Sequence, residues 1–176
     1  LASLWGDSTA TPALHAMGAL TGDALRSGEL WRLLAAASLH IGLAHLLANG
    51  FALFSFGRHV EAILGSARFV LLYVLAALGG SLASTLASGD TARVAAGASG
   101  ALWGLMTALL ALGYERRHLL PPPVRASLRT DGLRLLALNG LISLHPAVDW
   151  AAHLGGGLAG FGLVASHLLT AGLAER

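Results

Sequence analysis

Ser99 and His153 are residue types that can form an activated nucleophile. A serine hydroxyl is weak until a base takes its proton, and imidazole is the commonest such base. Ser99 stands in Gly97-Ala-Ser99-Gly100-Ala-Leu-Trp103-Gly104, and His153 in Ala152-His153-Leu-Gly-Gly156-Gly-Leu-Ala-Gly160. His45 and Asn49 are four apart, so on a helix they share a face and offer two side-chain donors. Donors aimed at a developing oxyanion lower a barrier by roughly 2.7–4 kcal/mol each. The backbone N–H of Ser99 and the positive end of a helix starting there would add to them. Together these are the parts needed for acyl transfer through serine. Singly, each has an ordinary explanation: a small residue at a helix contact, an interfacial histidine, a hydrogen bond tying helices together.

The elements that must position these residues follow from composition. The chain has 176 residues, enough for one domain, of which 55% are apolar and only 11% charged; mean hydropathy is +0.69. A soluble domain carries about a quarter charged residues to hydrate its surface. This chain cannot do so, and lipid is the solvent its composition fits. Its 23 glycines suit close helix packing in a membrane. With no cysteine, disulfides and thiolate chemistry are excluded. Eleven arginines and no lysine give a net charge of only +2, and no basic face with interleaved aromatics points to nucleic acid.

Apolar stretches at 33–57, 69–88, 94–114 and 148–170 each reach the roughly 20 residues that span hydrocarbon. A shorter one at 133–145 ends at Pro146, and its Asn139 and Gly140 mark it as a candidate gate. Residues 114–132 read as a polar link stopped by Pro121-Pro122-Pro123. Residues 7–32 read as a first loop, and Leu1–Gly6 as the remnant of a preceding membrane helix. No charged segment followed by an apolar one suggests a signal peptide.

Arginine placement predicts sidedness. Arg58, Arg68, Arg116, Arg117, Arg125, Arg129, Arg134 and Arg176 fall on one set of loops, Arg26, Arg32 and Arg93 on the other. The richer set is expected in the cytoplasm. Ser99 and His153 then lie near the outer ends of their helices, at similar depth. Gly100 and Gly104 give one helix a small-residue face, and Gly156 and Gly160 give the other the same, so the two can pack closely.

At this point the chain resembles the rhomboid intramembrane serine proteases over nearly its full length. The resemblance rests on Trp31-Arg32, then His40, His45 and Asn49, then Gly97-Ala-Ser99-Gly100, then Ala152-His153 with Gly156 and Gly160. It implies an all-α, polytopic membrane bundle with a six-helix core, the first helix truncated here. It implies Ser99 as nucleophile, His153 as general base, and His45 and Asn49 as oxyanion donors. Trp31 and Arg32 would anchor the first loop, and Glu61 looks like a structural carboxylate. Trp103 stands where the family more often has a smaller aromatic ring under the histidine. Asp149 is a tempting third member, but four residues before His153 it suits a helix cap better.

The expected activity is endoproteolysis in or near transmembrane segments of membrane-protein substrates. The expected location is a multi-pass position in the bilayer (plasma or inner membrane if bacterial), with the site open outward. No metal or cofactor is implied, since His40 and His45 are not spaced i, i+4 and no carboxylate completes a set. Two rivals remain. A catalytically silent relative that binds membrane clients would be marked by loss of Ser99 or His153, and both are present. A proton-conducting transporter needs polar residues through the whole bilayer, whereas here the cytoplasmic halves of the stretches are almost wholly apolar.

Overall fold

The computed structural model describes residues 9–88, 94–115 and 120–173, all helix and turn apart from one antiparallel bridge, Leu20 with Ala95. Leu1–Gly6, Arg93, Arg116, Arg117 and Arg176 lie outside the described residues.

The first loop folds as short helices: α1 (Thr11–Ala16), α2 (Gly22–Arg26) and α3 (Arg32–Ala35), the last running into a 3₁₀ turn at Ala36–Ser38. A buried guanidinium must be hydrogen-bonded to be tolerated, and Arg32 is. It donates to the carbonyls of His15 (2.6 Å) and Ala19 (3.1 Å), and its Nε lies 2.8 Å from Glu29 Oε2. Its guanidinium also stacks 4.6 Å from the centroid of the Trp31 ring. Trp31 in turn covers Gly18, whose φ of +108° and lack of a Cβ allow that approach.

The stretch at 33–57 is not one helix, contrary to the hydropathy reading. After Ser38 the chain turns, and α4 (Gly42–Ala52) sets off at 94° to Arg32–Ser38. Hydropathy cannot sense that break; Gly42, at φ +77°, makes it. From α4 the chain continues through a π turn (Leu53–Gly57) into α5 (Arg58–Leu64). Gly65, at φ +82°, then reverses it into α6 (Ser66–Ser88). Next come α7 (Ser99–Glu115), α8 (Pro122–Ser143) and α9 (Trp150–Ala165).

Helix α8 begins well inside the segment read as a polar link. The prolines that resemble a stop form its first turn, where a missing N–H and a fixed φ are no handicap. Its polar first half meets α7 through Arg129, which donates to the Gly113 carbonyl at 2.7 Å and stacks on Tyr114.

Helix α7 is the axis of the bundle. It packs against α6, α8 and α9, and Leu105, Met106, Ala108, Ala111 and Leu112 are fully buried. The outer helices show the reverse pattern. Leu43, Leu47, Phe51 and Phe54 on α4 and the adjoining π turn, Val70 and Leu86 on α6, Leu138 and Leu141 on α8, and Leu154 and Leu158 on α9 are exposed. Water would punish so much open apolar surface, whereas hydrocarbon solvates it. The bundle is built as a membrane protein.

Among the described residues, only α6 is long and apolar enough to cross alone. The pair Arg32–Ser38 plus Gly42–Leu64 passes only when taken as one bent span, and Ser99–Tyr114 and Trp150–Ala165 are shorter.

Candidate active site

The sites at 99 and 153 come together because α7 and α9 meet backbone to backbone. A Cβ added at Gly156 would collide with the carbonyl of Gly100, and one at Gly160 with that of Gly104. A Cβ at Gly104 would in turn lie 2.9 Å from the Gly156 oxygen. Thr107 locks the same seam, donating to the Gly157 carbonyl at 2.7 Å. Both helices begin at the same end of the bundle. Arg58, at the start of α5, and Arg125 and Arg129, in the first half of α8 beside the end of α7, lie toward the opposite end.

At that first end a cavity of about 520 Å³ is lined by Ser99, His153, His45, Asn49, Trp103 and Asn139, among others. His153 is buried and stacks on Trp103, ring centroids 5.2 Å apart and planes 18° apart. The larger indole therefore takes the place expected of an aromatic platform beneath the histidine.

Ser99 begins α7, where the first N–H groups have no carbonyl of their own helix to bond. The segment before it is held extended by Leu20 and Ala95, whose backbones exchange two 2.9 Å hydrogen bonds, and by Gly97 N–H donating to Ala36 O at 2.9 Å. Gly97 has φ +140°, and a Cβ there would lie 2.7 Å from His45 Cε1. Glycine is required on both counts.

On α4, Asn49 is the one buried residue, so this helix shows the bundle little besides its polar face. Asn49 Nδ2 is buried without a hydrogen-bond partner. A buried amide N–H₂ left unpaired costs about 1–3 kcal/mol, which makes it a donor lacking its acceptor. His45 is oriented in the same sense. Its Nδ1 accepts from the Ile41 N–H at 3.3 Å, so its proton is on Nε2, the atom nearer Gly97. His40 meets His45 edge to face at 5.3 Å and braces that ring from outside the cavity.

Three sequence-predicted residues lie elsewhere. Trp31 and Arg32 hold the first loop and do not line the cavity. Glu61, expected as a structural carboxylate, is exposed on α5 away from the cavity and accepts from Ser66 Oγ at 2.7 Å, closing the α5–α6 turn. Asp149 does line the cavity, yet both its oxygens are engaged. Oδ1 caps α9 by accepting from Ala152 N–H at 3.1 Å, and Oδ2 accepts from Ser84 Oγ at 2.5 Å. It fixes the start of α9 to α6.

One residue escaped the sequence reading. Ser143, the last residue of α8, lies buried with its Oγ 2.7 Å from His153 Nδ1. The turn at 144–149 brings it there.

A family model described as "Rhomboid domain" matches residues 27–169. RHOMBOID-like protein 5 of Arabidopsis thaliana is 39% identical over 150 residues, covering 85% of this chain and 48% of its own length. Rhomboid protease GluP of Bacillus subtilis (strain 168) is 39% identical over 161 residues, covering 89% of this chain and 30% of its own. RHOMBOID-like protein 6, mitochondrial, of Arabidopsis thaliana is 39% identical over 157 residues, with 89% and 49% covered. The chain thus spans about half or less of the length of these relatives. The matched region takes in α3 through α9, with the cavity and the glycine seam inside it: this chain belongs to the rhomboid family.

Proposed function

We propose that this protein is an intramembrane serine endopeptidase that hydrolyses peptide bonds in or near the transmembrane segments of membrane-protein substrates. The observation that carries the reading is the shared cavity. A serine at a helix N-terminus, a buried histidine, a histidine Nε2–H and an unpaired asparagine N–H₂ all face one space.

In this reading His153 takes the Ser99 proton as Oγ attacks the substrate carbonyl. The tetrahedral oxyanion is met by Asn49 Nδ2, His45 Nε2 and the first N–H groups of α7. The imidazolium returns its proton to the departing amine, leaving an acyl-enzyme on Ser99. Water then attacks the acyl carbonyl with His153 again as base, and Ser99 is regenerated.

The cavity continues along the bundle as a groove between α4–α5 and α8, the two sharing Phe56 and Met106 in their walls. Helix α8 packs on α7, so a substrate helix could approach along its free edge, with α8 as the gate. The arginine-rich end is assigned to the cytoplasm, the Ser99 end to the outer side, and α4–α5 to α9 to the multi-pass core.

A fluorophosphonate probe tests the nucleophile. It should label the full-length protein in detergent, and Ser99→Ala should abolish labelling. Labelling that survives Ser99→Ala would remove the assignment, and no labelling of either form would favour a silent, client-binding relative. Asp149 supplies a second check. Asp149→Ala should lower the thermal midpoint, since losing a helix cap costs about 0.5–2 kcal/mol, while keeping most of kcat. A collapse of kcat equal to that of His153→Ala would instead make Asp149 a third catalytic member.

A further inference from the structure

A serine hydroxyl has one proton to give and two lone pairs to receive with. Ser143 Oγ lies 2.7 Å from the carbonyl of Asn139, one turn back on α8, and 2.7 Å from His153 Nδ1. A carbonyl oxygen can only accept, so the one arrangement in which both contacts are hydrogen bonds sends the Ser143 proton to Asn139 O. Toward His153 the same oxygen can then act only as an acceptor, which requires the imidazole to carry its proton on Nδ1. Its Nε2 is left with a free lone pair. The carboxylate that might have done this, Asp149, has both oxygens committed to Ala152 N–H and Ser84.

We propose that Ser143 is the positioning residue for His153, holding it in the Nδ1–H tautomer so that Nε2 can take the Ser99 proton. The proposal deepens the protease reading and rests on it for its catalytic meaning. During attack the proton moves from Ser99 Oγ to His153 Nε2 while the O–C bond forms. The imidazolium keeps its Nδ1–H bonded to Ser143 Oγ, and the Nε2 proton leaves with the amine. Ser143 itself exchanges no proton. A neutral acceptor orients the base without adding a second buried charge, which an apolar site would make expensive.

The acceptor also belongs to a different helix from the base. His153 is on α9, whereas Ser143 ends α8, the helix flanking the open groove. Orientation of the base is therefore complete only with the end of α8 in place against it.

Nitrogen-15 NMR of histidine-labelled full-length protein in detergent, alongside cleavage kinetics, tests this. Wild-type His153 should show a protonated Nδ1 and an unprotonated Nε2. Ser143→Ala should mix the tautomers and lower kcat about 10- to 100-fold, the scale of loss seen when the partner that orients a metal-ligating histidine is removed, with KM unchanged. Ser143→Thr, which keeps the hydroxyl, should restore both signals. A wild-type proton on Nε2, or Ser143→Ala with wild-type tautomer and kcat, would overturn the proposal. A wild-type protein that shows the Nδ1–H tautomer yet cleaves nothing would sink the protease reading while upholding the Ser143–His153 assignment.

Discussion

Ser99→Ala and His153→Ala are each expected to lower kcat for a model transmembrane substrate by about 10⁴-fold or more, and the double variant no further. In the proposed mechanism the pair acts as one unit. Without the base, the hydroxyl stays protonated and attacks poorly; without the hydroxyl, the base has nothing to activate. What would survive in either variant, on that mechanism, is the stabilisation proposed for Asn49, His45 and the α7 N-terminus, all untouched by the substitution. Single- and double-variant kinetics in detergent or proteoliposomes measure this directly. A double variant whose loss equals the product of the single losses would mean that the two residues work independently. A His153→Ala protein with wild-type turnover would remove the base from the mechanism.

The second large effect comes from a residue that touches no substrate. Gly156→Val should abolish most activity and destabilise the fold, because its new side chain would be driven into the Gly100 carbonyl. Overpacking commonly costs about 1–3 kcal/mol where side chains can yield, and more where they cannot. Backbone cannot yield, so α7 and α9 must separate, and Ser99 and His153 ride on those two helices. A misplacement of about 1 Å in a catalytic constellation is enough for a loss near 100-fold. The matched control is Gly162→Val on the same helix, where an added Cβ meets nothing within 4 Å. Thermal unfolding and cleavage rates of the two variants should diverge. Equal behaviour would show that the α7–α9 seam does not position the site.

Much of this arrangement is written in residue types that lipid makes conspicuous. Polar groups in apolar stretches stand out at Ser99, His153, His45 and Asn49, and glycines at i, i+4 mark the α7 face as a contact surface. Other parts are hidden for identifiable reasons. Hydropathy at 33–57 sees continuous apolar sequence and cannot register the positive φ at Gly42 that divides it. The Arg-bearing first half of α8 reads as a link because a helix lying against α7 at the end of the bundle needs no apolar periphery there. Ser143 is the most instructive. A serine bonding its own i−4 carbonyl is an ordinary helical feature, and ten residues separate it from His153. Only the reversal at 144–149 makes them neighbours.

The glycine seam has a consequence for changing what this protein acts on. Where two helices touch through carbonyls and Cα atoms, no side chain exists to be enlarged, trimmed or recharged, so the facing glycine surfaces of α7 and α9 offer a directed-evolution library almost nothing to vary. Freedom to vary lies on the opposite wall. Ala48, Ala52 and Phe56 from α4 and its π turn, and Ile142 from α8, line the same cavity without taking part in the seam. A library confined to those four positions can reshape the entrance while leaving the chemistry on a frame that selection cannot easily disturb.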